Sequence, residues 1–337
     1  MHHMERLEKY SITVIIPTRN SMPELEAHVH ALNEWLHRVG QVIVVDSDSS
    51  DGTLEYLQEN LKHECVEFLN HPPGLYESWN AAIKRAGSKF TYIATVNDFM
   101  PFETLVRLYS EAERLAADVV VSAPEIVLSD RSQKYRKWPI HRLLELSAKK
   151  ETYVLQPLEL LVWNSVELPG TLIGSSASNL YRTEALQENP FPCDYGHAGD
   201  SAWAVGGALT NRWVVVPDVS SKFWYHGGQN NSSGHGRRLR AQLYALSAGQ
   251  AECARDSLAV SDAESGILDE LKLLTELWTQ KEQAVLGYQA YRKRRIPWVF
   301  FPGAWVLRSS KNRSNFEIRR QVKCLLQAIG DLYGYTN

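Results

Sequence analysis

"QVIVVDSDSSDGT", residues 41–53, passes in one step from a run of β-branched apolar residues to a turn built of Asp, Ser and Gly. Val42, Ile43, Val44 and Val45 read as a strand buried on both faces, which is the pattern of a parallel sheet covered on each side. The turn sets Asp46, Asp48 and Asp51 at the carboxyl end of that strand. In open α/β sheets, ligands bind in the crevice beyond those ends.

Outward from this stretch, strands and helices alternate. "SITVIIP" (11–17) is a preceding strand, and Leu25, Val29, Leu32 and Leu36 predict a helix over 24–38. After the turn, "LEYLQENL" (54–61) reads as helix, followed by a strand at 66–70, a helix at 75–86, a strand at 90–96, a helix at 103–116 and a strand at 118–124. Such a series predicts a mostly parallel, doubly wound sheet. Residues 125–170 are less regular, and "SDRSQKYRKWP" (129–139) reads as a loop. A second αβ segment follows at 176–186, with a helix over 200–209 and strands at 212–218 and 221–226. "HGGQNNSSGHGRR" (226–238) is the clearest loop and an expected boundary. Beyond it the pattern is helical, broken near Pro297 and Pro302.

Composition narrows the function classes. With 337 residues, 44% hydrophobic and 22% charged, the chain has the makeup of a globular protein with one large domain and an appendage, or of two domains. The net charge of −3 is unevenly spread, since residues 237–337 hold 16 Lys and Arg against 10 Asp and Glu. Four cysteines without a C-x-x-C pair suggest neither a zinc knuckle nor a redox dithiol, and fit a reducing, cytoplasmic compartment. "MHHMERLEKY" has no apolar core of a signal peptide, and no stretch reaches the roughly 18 apolar residues of a membrane span. No G-x-G-x-x-G follows the first strand and no Walker sequence is present, so dinucleotide oxidoreductases and P-loop kinases lose their main support.

Four segments then occur in order: "IIPTRN" (15–20), "VVDSDSSDGT" (44–53), "HPPGLYESWNAAIKRAG" (71–87) and "YIATVNDFMP" (92–101). Together they resemble glycosyltransferase family 2, the inverting enzymes of GT-A fold, over about residues 11–226. The resemblance implies an α/β GT-A fold, a Rossmann-like nucleotide-binding mixed sheet flanked by helices, to which the helical pattern beyond 239 adds a C-terminal helical extension. The domain would span 1–236, with a nucleotide-binding half at about 11–125 and an acceptor half at about 126–236. Residues 237–337 would form a helical, basic and aromatic region.

The same resemblance implies a nucleotide-diphosphate sugar donor, most simply uridine-linked, and a glycan or lipid-linked acceptor. Pro17, Thr18, Asn20, Asp46, Asp48, Asn80 and Asn97 are then the candidates to bind the donor. Asp46 has a structural alternative as a helix cap, and Trp79 reads as core. Where the family keeps a metal-binding D-x-D, this chain has Thr95, Val96, Asn97 and Asp98. Asp98 with His226 is the candidate pair for Mg²⁺ or Mn²⁺, since Mg²⁺ is commonly held by one or two carboxylates plus substrate phosphates. His226 otherwise simply ends a strand. Arg19, His235, Arg237 and Arg238 are candidate diphosphate contacts that would offset leaving-group charge.

Asp200 opens a helix after a glycine in "YGHAGDSAW" (195–203), and is the candidate general base, with a helix cap as its structural alternative. His197 is a candidate to assist it. From 292 to 323, ten Lys and Arg accompany one acid and interleave with Trp298, Phe300, Phe301 and Trp305. That suits contact with an anionic membrane surface, at the inner face of the membrane. No recognised module points to nucleic acid. Two other readings stand beside the transferase: a degenerate nucleotide-sugar-binding scaffold, and a sugar nucleotidyltransferase whose glycine-rich phosphate loop is missing here.

Overall fold

The computed structural model of the chain describes residues 9–64, 66–128, 137–225, 235–292 and 313–335. β1 (Tyr10–Thr18) and β2 (Val39–Asp46) pair in parallel, with Ile15 opposite Ile43 and Thr18 opposite Asp46. β3 (Val66–Asn70) extends the sheet beyond β2, and β4 (Phe90–Ile93) flanks β1 on the other side, both in parallel. Side chains alternate between two cores. Val14, Ile16, Val42 and Val44 enter one, and Ile15, Ile43, Val45 and Ile93 enter the other. The central stretches, Val14–Ile16 of β1 and Val42–Val45 of β2, are therefore apolar on both faces, each buried aliphatic side chain contributing roughly 1.5–3 kcal/mol.

The first core is closed by α1 (Met22–Asn33) through Leu25, Val29 and Leu32, by α2 (Thr53–Asn60) through Leu57, and by α4 (Phe102–Leu115) through Leu105, Leu108 and Ala112. α3 (Leu75–Ile83) covers the opposite face with Trp79, Ala82 and Ile83.

The remaining strands are β5 (Val119–Val121), β6 (Glu125–Leu128), β7 (Tyr153–Val154), β8 (Leu180–Arg182), β9 (Trp213–Val215) and β10 (Lys222–Tyr225). The large sheet runs β3-β2-β1-β4-β8-β5-β9-β7, and β10 pairs separately with β6. Strand order reverses between β1 and β4, the switch point where a crevice opens beyond the strand ends. β8 is antiparallel to both β4 and β5, and β7 is antiparallel to β9, so the sheet is mixed.

Helices α5 (Pro139–Ser147), α6 (Pro157–Ser165), α7 (Thr183–Glu188) and α8 (Gly199–Gly206) belong to the second half. α9 (His235–Ser257), α10 (Asp262–Arg292) and α11 (Arg313–Tyr333) follow. Leu243, Leu268, Leu271, Leu325 and Ile329 from these last three share one core with Trp163, Trp203 and Trp213. Past α11, the Tyr335 hydroxyl accepts from Trp163 Nε1 at 3.0 Å and donates to Glu159.

Several expectations from the sequence change. The helix expected over 24–38 stops at Asn33, and a 3₁₀ turn follows at Leu36–Arg38. The strand expected over 90–96 ends at Ile93, where the Ala94 N–H still donates to Ile15 O and the chain then turns at Asn97, which has φ 78°. Within 125–170, two helices and two short strands are formed. The segment 226–238 is described only from residue 235, and there it is already α9, with Arg237 and Arg240 each 3.1 Å from Glu282 of α10. Among the described residues no helix is long and apolar enough to cross a membrane, and most of the basic-aromatic stretch 292–323 lies outside them.

Candidate functional site

A cavity of about 490 Å³ opens at the carboxyl ends of β1, β2 and β4. Pro17, Thr18, Ser47 and Thr95 bring the strand ends to it, the first turn of α3 from Gly74 to Trp79 forms a second wall, and Cys193, Gly196 and His197 a third. Arg19 also lines it, and is exposed.

Each of the three strand ends turns through a non-glycine residue in the left-handed region: Asn20 at φ 49°, Asp48 at φ 53° and Asn97 at φ 78°. Asn and Asp tolerate that conformation better than other residues with a side chain. Their residue types thus have a backbone cause as well as a candidate chemical one. Asn20 also ties two turns together, its Oδ1 accepting from the Ser50 N–H at 2.8 Å while its own N–H donates to Ser49 Oγ at 2.8 Å.

Asp46 is 1% exposed. Its carboxylate accepts from Thr18 Oγ1 at 3.0 Å, Ser49 Oγ at 2.6 Å and the Ser49 N–H at 2.8 Å. It therefore braces the cavity wall from behind, and is not a helix cap, because α2 begins after Gly52, which takes φ 90°. Asp51 closes the same turn by accepting from Thr53 Oγ1 at 2.6 Å and from the Met22 N–H at 3.1 Å. The Thr53 hydroxyl holds its carboxyl below the usual range. Asp48 is exposed at the turn.

Asn80 does not line the cavity, though its Nδ2 lies 3.7 Å from the Sγ of Cys193, which does. Its Nδ2 donates to Phe191 O at 2.8 Å and its Oδ1 accepts from the Phe191 N–H at 3.0 Å, which pins the chain just ahead of Cys193. Trp79 is 5% exposed and belongs to the second core, and also lines the cavity.

Asp98 sits behind Thr95. Its Oδ2 accepts from Thr95 Oγ1 at 2.6 Å and Ser175 Oγ at 2.9 Å, and the carboxylate also takes a backbone hydrogen bond from Trp224 of β10. Burial pushes its pKa up to about 6, against the lowering effect of those hydrogen bonds. Among the described residues no three His, Cys, Asp or Glu side chains come together, and Asp98 has no acidic neighbour in its hydrogen-bond set. The described residues thus form no protein-made cage for Mg²⁺ or Mn²⁺, and an ion at Asp98 would draw on a carboxylate that already accepts three hydrogen bonds, with substrate phosphates completing its shell. His226 lies outside the described residues.

Asp200 stands in the first turn of α8, one side chain removed from the cavity. Its Oδ1 accepts from the Ser201 N–H at 2.6 Å, and the Tyr76 hydroxyl also bonds its carboxylate. The single Tyr76 hydroxyl proton is shared between that carboxylate and His197 O, 3.2 Å away, which links Asp200 to the cavity wall. Burial raises the Asp200 pKa, and burial with the nearby Asp200 charge raises that of Tyr76. Asp200 is not the helix cap; Ala198 occupies that position. Gly199 is required by packing, because a Cβ there would meet both Pro192 O and the Tyr76 ring at 2.5 Å.

The structure thus brings Pro17, Thr18 and Arg19 to the cavity, with Asp46, Asp98 and Asp200 behind its walls; Arg237 and Arg238 do not line it, the former being paired with Glu282 and the latter exposed on α9. Tyr76 and Ser175 were not singled out in the sequence. Tyr76 carried a signal, as an aromatic in the 71–87 segment; Ser175 carried none.

Strand-end cavity, switch point and mixed sheet define a nucleotide-type α/β protein. Residues 13–187, more than half of the chain, match the family model Glycosyl transferase family 2. The chain belongs to that family and is a glycosyltransferase of GT-A-like fold. Among solved structures it is similar to S. aureus TarS 1–349 in complex with UDP-GlcNAc, at 16% identity and a TM-score of 0.56, covering 96% of this chain and 91% of that one. It is also similar to TarS 1–349 in complex with UDP, at 18% identity and a TM-score of 0.53, covering 77% and 69%. Against a longer TarS chain the identity is 18% and the TM-score 0.54, covering 79% of this chain and 43% of that one. At these identities the likeness is one of fold. A sequence comparison with curated proteins finds no match.

Proposed function

We propose that this glycosyltransferase moves a sugar from a nucleotide-diphosphate donor, uridine-linked, to a glycan or lipid-linked acceptor in a single displacement with inversion. The observation that carries the reading is the cavity at the switch point, walled by Thr18, Ser47 and Thr95 and by the first turn of α3. Its hydroxyls and peptide groups suit a nucleoside, and the N–H groups that open α3 suit a phosphate. The TarS structures that share the fold hold UDP and UDP-GlcNAc.

In this reading Asp46 keeps the nucleoside wall in place by holding Thr18 and Ser49, and Arg19 offsets diphosphate charge. Asp200 takes the acceptor hydroxyl's proton while that oxygen forms its bond to the anomeric carbon, and the bond from that carbon to the nucleoside diphosphate breaks on the opposite side. A carboxylate whose pKa is raised by burial is better matched to that work near neutral pH than an exposed one.

The test needs no known acceptor. UDP release from UDP-sugars, with water as the slow acceptor, should fall by about 10²- to 10⁴-fold in Asp200→Asn while UDP still raises the melting temperature. Unchanged release in a stably folded Asp200→Asn enzyme would remove Asp200 as the base. Absence of any thermal shift with UDP-sugars would remove the donor assignment.

A further inference from the structure

A second cavity, of about 1040 Å³, lies away from the strand ends, between α5, the turn after α6, and helices α9, α10 and α11. Its walls are mainly apolar, with Leu146, Val166, Trp278, Val322 and Leu326, and the Tyr244 and Trp278 rings pack together with centroids 4.8 Å apart. Its charges do not cancel. Glu167 is paired with Arg142 and Glu145 with Lys137. Arg319 and Lys323, four residues apart on α11, form no ion pair among the described residues. The groove therefore offers an apolar trough with two free cations on one side.

We infer that this groove binds an amphiphilic phosphate: one hydrocarbon chain in the trough, ended by a phosphate group on Arg319 and Lys323. A neutral hydrocarbon would leave both cations unused, and a free phosphate would leave the trough exposed. The groove's position gives such a ligand a use. The Tyr244 hydroxyl donates to Leu168 O at 3.1 Å on the groove side, and Ser201 Oγ donates to Pro169 O at 2.7 Å on the Asp200 side. One turn of chain thus separates the groove from the residue beside the candidate base. Anchoring a lipid-linked acceptor there by its phosphate, with a glycan hydroxyl beyond it reaching Asp200, rests on the transferase reading above, whereas the binding itself does not.

Calorimetric titration of the full chain with decyl phosphate, below its critical micelle concentration, tests the inference. Saturable binding is expected, weakened at least tenfold in Arg319→Ala/Lys323→Ala, and at least tenfold weaker in the wild type for inorganic phosphate and for octyl glucoside. Saturating UDP should not displace it. The two cations are exposed side chains, so the double variant is expected to keep the wild-type melting temperature. A variant with a lowered melting temperature would be replaced by Arg319→Gln/Lys323→Gln, judged by the same tenfold criterion. No saturable binding, equal binding in the cation variant, or displacement by UDP would each overturn the inference. Failure of UDP to bind at all, with decyl phosphate binding intact, would count against the donor reading alone.

Discussion

Replacing Gly199 by Ala sets two effects of opposite sign against each other. In an ordinary helix the change is favourable by up to about 1 kcal/mol, because alanine loses less backbone freedom on folding. Here the added Cβ would lie 2.5 Å from Pro192 O and 2.5 and 2.6 Å from two carbons of the Tyr76 ring, where ordinary contact begins near 3.4 Å. One neighbour is backbone, and the other is a ring only 2% exposed whose hydroxyl is held by His197 O. Neither yields cheaply, and overpacking of this kind costs about 1–3 kcal/mol, so with the full helix gain offset a net loss of up to about 2 kcal/mol is expected. Relief by moving α8 requires a shift of about 0.9 Å, and a misplacement near 1 Å can cost about 10² in rate. Urea unfolding and the initial rate of UDP release measure the two effects separately. A Gly199→Ala protein as stable and as fast as the wild type would refute the claim that this glycine sets the place of Asp200.

Three further outcomes follow from the same geometry. His28 is 7% exposed, and burial pushes its pKa down from 6.5 to about 4. The folded state therefore refuses a proton that the unfolded chain accepts, so the His28 contribution is complete above about pH 6.5 and lost as pH falls toward 4. The loss totals about 3 kcal/mol, and comparing urea midpoints of wild type and His28→Gln across that window should show it; parallel pH profiles would contradict it. Tyr335→Phe removes the hydroxyl shared by Trp163 and Glu159 and should cost about 1–3 kcal/mol in urea unfolding, with a neutral result ruling out a fastening role. Because the Asp98 carboxylate is already occupied by Thr95, Ser175 and Trp224, chelation with EDTA should weaken UDP binding less than tenfold, and a hundredfold loss would show that Asp98 turns outward to a cation.

The first half of the fold was legible because its strands are buried on both faces, so "SITVIIP" and "QVIVV" carry their assignment in residue type alone. Residues 157–165 hid their helix for the opposite reason: every position from Leu158 to Ser165 is buried, which erases the one-sided stripe by which a surface helix is recognised. β7 and β8, two and three residues long, are too short for any period to show. At the site, the sequence pointed to the polar strand ends but not to what the polar groups face. Asp46 and Asn20 spend their hydrogen bonds on the neighbouring turn, and Ser175, which holds Asp98, and His197, which holds Tyr76, lie 77 and 121 residues away along the chain. Such pairings come from tertiary packing, and local pattern carries no trace of them.

The place of β8 bears on how the molecule is made. β4 and β5 are successive strands, yet they never pair; β8, from some sixty residues further on, fills the gap between them and hydrogen-bonds to both. A ribosome that has released only the first 125 residues has thus delivered a sheet with an open slot, whose unpaired edges invite aggregation until the missing strand emerges. The two halves are consequently stitched into a single cooperative unit, and cutting the gene between them should yield insoluble fragments rather than a separately folded nucleotide-binding piece.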